Sequence, residues 1–118
     1  MNEKIFKERT KRLAIAIIRL VEEMPKSVAA TAIARQIVRS ETSIGANYRA
    51  ACRAKSTADM INKLKIVEEE SDETAYWLEL LVEAGHLSQE KVAPIAKETD
   101  EIIAMTVASI KTLRSRKS

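Results

Sequence analysis

The sequence predicts an all-α protein, an antiparallel four-helix bundle in up-down-up-down order, and three observations carry that expectation. Gly and Pro number only two each, while Ala, Ile, Leu, Glu, Lys and Arg dominate, which is the composition of long helices joined by short turns. Apolar residues recur at spacings of three and four through four long segments. Each segment is bounded by a capping or helix-stopping residue. A chain of 118 residues is a single domain, 1–118, with enough length to bury one core.

The first helix is expected over about 3–24, with Phe6, Leu13, Ile17, Leu20 and Met24 on one face and Pro25 as its stop. The second runs over about 28–54, with Ser27 or Thr31 as N-cap. Its middle, SETSIGANYRAACRA at 40–54, has the residue types of a loop. Periodicity argues otherwise. Ile33, Ile37, Ser40, Ile44, Asn47 and Ala51 follow at steps of 4, 3, 4, 3 and 4, and the phase survives Gly45. Gly45 is therefore read as a helical residue, costing roughly 1 kcal/mol against Ala and marking a place where another backbone comes close. Ser40 and Asn47 are placed on the buried seam, where their polar groups need partners.

Ser56, with Asp59 three residues on, opens the third helix over about 57–84, and Gly85 is its C′ residue. Met60, Leu64, Val67, Thr74, Leu78 and Leu81 are its core face. Ser88 caps the fourth helix, about 89–114, with Glu90 in the first turn and Ile95, Ile102, Ile110 and Leu113 as its stripe.

Several function classes find no support. The single cysteine, Cys52, and single histidine, His86, make neither an internal disulfide nor a metal cluster. The Glu-x-x-His pair of di-iron bundles is absent, as are a glycine-rich phosphate loop and a nucleophile elbow. Glu69, Glu70 and Glu73 share a helix side but read as a solvated or interfacial face. No catalytic residue, cofactor or metal is expected. The longest apolar run, LAIAII, is far short of a membrane span and the N-terminus has no signal-like core, so the expectation is a cytoplasmic protein with no membrane partner.

The charge distribution is more informative than the small excess of bases. On a helical wheel Arg35, Arg39, Arg49 and Arg53 fall within an arc of about 80°, opposite the apolar seam of helix 2. At 1.5 Å per residue the stripe is about 27 Å long, and between its two pairs stand only Thr42 and Ala46. Forked guanidinium donors suit phosphate oxygens, so the stripe, with Lys55 and Lys63, is a candidate contact for RNA or single-stranded DNA. The competing reading is pairing with acids. Residues 57–87 hold eight acids against two lysines, whereas 26–56 hold six bases against Glu41, so helices 2 and 3 are complementary. A protein-interaction scaffold, its arginines paired with helix 3 of a neighbouring subunit or a partner protein, is the alternative function.

Helix 3 also shows a second apolar group, Ile66, Tyr76, Trp77 and Leu80, and helix 1 shows Ile15 and Ile18 away from its core stripe. One bundle needs one apolar face per helix. Coverage of the second by another chain predicts a homo-oligomer.

The segment ARQIVRSETSIGANYRAACRAKSTADMINKL, then KIVEEESDETAYWLELLVEAGHLS, resembles the bacterial four-helix bundle proteins described as 23S ribosomal RNA intervening-sequence proteins. The resemblance covers nearly the whole chain and is most specific at Gln36, Arg39, Ser40, Ser43 to Arg49, Asp72 to Thr74, Trp77 to Leu81, and Gly85. Ala50 and Cys52 depart from it, standing where an acidic and a polar residue are usual. The resemblance implies a ring-like homopentamer. It also implies similarity to the accessory variability protein of diversity-generating retroelements, a basic pentameric barrel that binds nucleic acid and a reverse transcriptase. The resulting expectation is a non-catalytic, homo-oligomeric nucleic-acid-binding protein.

Overall fold

The computed structural model describes residues 2–117. Four helices, α1 (Glu3–Glu22), α2 (Val28–Cys52), α3 (Thr57–Glu83) and α4 (Gln89–Lys117), make an antiparallel bundle 49 Å long and about 22 Å across. Sequence neighbours pack side by side, α2 with α3 most extensively, and α1 closes against α4. None of these helices is long and apolar enough to cross a membrane.

The boundaries follow from local chemistry. Asn2 Oδ1 accepts the Ile5 N–H at 3.1 Å, Ser27 Oγ the Ala30 N–H at 3.1 Å, and Ser88 Oγ the Lys91 N–H at 3.2 Å, each satisfying an N-terminal donor that the helix leaves free. Ser27 rather than Thr31 therefore caps α2. At α3, Ser56 Oγ accepts from Asp59 N–H at 3.1 Å, and the short Asp59 side chain returns to the Lys55 N–H at 3.2 Å. Gly85 takes φ of 81°, and the His86 N–H reaches the Leu81 carbonyl at 2.9 Å, so α3 closes on a six-to-one bond that a left-handed residue makes possible. α1 and α2 each stop two residues before the expected bounds and α4 runs three beyond.

The core has two apolar clusters. One gathers Phe6, Leu13, Ile44, Tyr48, Leu64, Val67, Ile102 and Ile110. The other gathers Ile17, Leu20, Ile37, Leu78, Leu81 and Val92 at the opposite end. Ser40, Glu41, Ser71, Thr74 and Thr99, all fully buried, occupy the helix turns between them. Most of these hydroxyls bond within their own helix: Ser71 to the Val67 carbonyl, Thr74 to that of Glu70, Thr99 to that of Ile95. Ser40 also meets Thr74 across α2 and α3 at 2.8 Å.

Two expectations on α2 are corrected. Asn47 is only half-buried, its amide held by Ser43 of the same helix, and Tyr48 takes the core position, its ring 4.2 Å from that of Phe6. A helix turns 3.6 residues, not 3.5, so the buried face drifts by about 20° per heptad, which moves Asn47 to its edge and brings Tyr48 onto it beside Ile44 and Ala51. Gly45 meets no backbone. A Cβ placed there would stand 3.5 Å from Thr10 Oγ1, an ordinary contact.

Candidate nucleic-acid interface

The arginines of α2 do not form one continuous stripe. Arg39 is engaged within the chain: its guanidinium reaches Glu70 at 3.2 Å and also Glu73 of α3, while Gln36 of its own helix accepts from its Nε at 3.3 Å. Glu73 also accepts the Trp77 ring N–H at 3.2 Å. The pairing holds the Glu73 carboxyl below the usual carboxylate range, with Arg39 as the largest cause. Arg39 is a clasp across the α2–α3 seam. It has a counterpart on the other side of the bundle, where Arg9 of α1 grips Glu98 at 2.6 and 2.8 Å and Glu101 at 2.9 Å on α4.

With Arg39 occupied, the stripe splits into two ends about 21 Å apart, the rise of the 14 residues from Arg35 to Arg49. At the far end Arg49 and Arg53, both exposed, meet Lys55 and Lys63 around an open hollow of about 770 Å³ at the α2–α3 corner. Its remaining lining is small or polar, Ala46, Ala50 and Ser56, with Asp59 as its single acid. None of the four cations has an ion-pair partner among the described residues. Arg49 also lines a shallow groove toward α1 with Lys11, over a floor of Gly45 and Ala46. Lys11 extends the basic surface from α2 and α3 onto α1, which a wheel of α2 alone does not reveal.

At the near end Arg35 and Lys26 flank an apolar groove between α1 and α2, floored by Val21, Met24, Ala34 and Val38. Of the expected interface residues, Ile15 and Ile18 are 40% and 39% exposed and Tyr76 is 52% exposed. Ile66, Trp77 and Leu80 are half-buried, and Trp77 packs against the chain's own core, with Tyr76 5.2 Å from its ring.

A second charged residue of α2 escapes the sequence reading. Glu41 is fully buried, neither carboxylate oxygen has a hydrogen-bond partner, and burial alone pushes its carboxyl up to about 8. The signal was present: Ile37, Glu41, Ile44 and Tyr48 run at steps of 4, 3 and 4, a second row of the same seam. Cys52 is no activated thiol, since burial raises it and outweighs the hydrogen bond from Tyr48. His86 sits half-buried in the α3–α4 turn. Among the described residues, no three His, Cys, Asp or Glu side chains are grouped to hold a metal.

No curated protein matches the chain. A crystal structure of a protein of unknown function from the S23 ribosomal protein family of Bacteroides thetaiotaomicron is 38% identical, with a TM-score of 0.82 over 90% of this chain and 98% of that one. The model of the 23S rRNA-intervening sequence proteins matches residues 2–108. The solved structure shares the fold of this chain, and the chain belongs to the 23S rRNA-intervening sequence protein family.

Proposed function

We propose that this protein is a non-catalytic, self-assembling nucleic-acid-binding protein, with structured RNA as its preferred ligand, and that phosphates are held at the α2–α3 corner. The observation that supports this is the hollow in which Arg49, Arg53, Lys55 and Lys63 face one acid and have no ion-pair partner among the described residues. Two forked and two point-like cations suit a phosphodiester backbone, and with no aromatic side chain in the lining, base stacking has no platform there. Binding is therefore directed at backbone and shape, with little sequence preference. By its resemblance to the accessory variability protein, the proposed assembly is a ring of five, which multiplies a modest patch by avidity. A reverse transcriptase is the protein partner that this resemblance brings with it.

The test is a gel-shift titration of structured RNA and single-stranded DNA at ~50 mM salt, where phosphate contacts are strongest. Arg49→Ala with Arg53→Ala should weaken binding and reduce the slope of log affinity against log salt by about 2, one for each arginine taken away from a phosphate. A wild type that shifts neither probe sinks the proposal.

A second reading, the interaction scaffold, draws on the acids of α3. Glu69, Asp72, Glu79 and Glu83 are exposed and have no ion-pair partner among the described residues, while Glu70 and Glu73 are satisfied by Arg39. Under this reading the arginine clasp that joins helices 2 and 3 is internal to the chain, and any pairing with a neighbour involves other residues.

A further inference from the structure

Two surfaces of this chain are each half of a contact. The first is the groove of about 790 Å³ between the end of α1 and the start of α2. Its floor is apolar, Val21, Met24, Ala34 and Val38, and Lys26 and Arg35 stand at its edge, with Glu22 as the one acid in its lining. Ile15 and Ile18 continue the apolar surface along α1, the second three residues after the first and so on the same side of the helix. The second surface is a strip of α3. Tyr76 is 52% exposed, Leu80 lies one turn further on, and Glu69, Asp72, Glu79 and Glu83 surround Tyr76 at steps of −7, −4, +3 and +7. Those four acids have no ion-pair partner among the described residues.

We propose that the α3 strip of one copy docks in the α1–α2 groove of the next, Tyr76 seated on the apolar floor and Glu79 and Glu83 meeting Arg35 and Lys26. Charge complementarity selects the occupant: a cationic rim around an apolar floor calls for an apolar anchor flanked by acids, and this chain displays such an element. Tyr and Arg are also the side chains that most often anchor an interface. The two surfaces differ, so the contact is head-to-tail. A head-to-tail contact continues from copy to copy until a ring closes or a filament grows. It leaves Arg49, Arg53, Lys55 and Lys63 clear, so one end of α2 serves assembly and the other serves phosphate. The inference rests on the self-assembly in the proposed function and not on nucleic-acid binding.

Light scattering coupled to size exclusion at two protein concentrations tests it. Wild type should run as an oligomer. Tyr76→Ala and Arg35→Glu should each lower the mass toward the monomer with helicity unchanged by circular dichroism, and Glu79→Arg with Glu83→Arg should restore the mass of Arg35→Glu. A monomeric wild type overturns both this contact and self-assembly. An oligomer whose mass ignores Tyr76→Ala and Arg35→Glu overturns the contact alone. Arg49→Ala with Arg53→Ala reports on phosphate binding separately, since it leaves both contact surfaces intact and should keep the mass of wild type while weakening the gel shift.

Discussion

Arg39 and Glu41 lie two residues apart on α2 and have opposite fates. Arg39 is half exposed and has three partners in its own chain, whereas Glu41 is sealed in the core and has none. The solvated charge is the one that is paired. A charge at the surface can be neutralised by long side chains reaching over from a neighbouring helix, but a charge inside depends on what the facing helices present, and the other buried polar residues of this core are hydroxyls bonded to their own backbones. The carboxyl escapes by remaining protonated.

The largest effect expected from this contrast is at Glu41. Its pKa rises from 4.5 in the unfolded chain to about 8 in the fold, so the native state holds its proton more tightly and stability falls as pH climbs through that window. At pH 7 the cost is about 3 kcal/mol, at 1.36 kcal/mol per unit. Glu41→Leu should recover about that much in urea unfolding at pH 7. Between pH 5 and 8 the wild type should lose stability while the variant stays level. Equal slopes for the two proteins would mean that Glu41 has found a partner or water.

Gly45, one turn further along α2, gives a smaller gain. Thr10 leaves room for a methyl group, so Gly45→Ala should raise stability by about 0.5–1 kcal/mol, read as a higher urea midpoint. A drop instead would show that the two helices sit closer than the 3.5 Å approach implies. The smallest effect belongs to Arg39. Arg39→Ala should lower the midpoint slightly, and the deficit should shrink in high salt, as for any solvated ion pair. RNA affinity should change far less than in the Arg49/Arg53 variant; a comparable fall would return Arg39 to the phosphate-binding set.

Much of the bundle was legible in the sequence because caps and periodicity are local. Ser27, Ser56, Ser88 and Gly85 each act within one helical turn, and Ile37, Ile44, Leu64, Leu78 and Ile102 all reach the core. The candidate site was legible only in part. A wheel gives the angle at which Arg39 leaves its helix, but the rotation and offset of α3 decide whether Glu70 and Glu73 meet it. The same limit hid the contribution of Lys11, which reaches the Arg49 groove from another helix. Glu41 was missed for a different reason: residue type suggested solvent, while its spacing from Ile37 and Ile44 placed it inside.

The hydroxyl bond between Ser40 and Thr74 is, among the described residues, the one fully buried bond that crosses between helices. Other buried hydroxyls satisfy themselves on their own helices, so among fully buried groups only α2 and α3 are pinned in register, at mid-length, while α1 is tied to α4 by the half-buried Arg9 clasp. The short α2–α3 connection makes this hairpin cheap to close. In hydrogen-exchange terms the amides around 37–44 and 71–78 should be the last to open, and slower exchange in α1 or α4 would place the most persistent part of the bundle elsewhere.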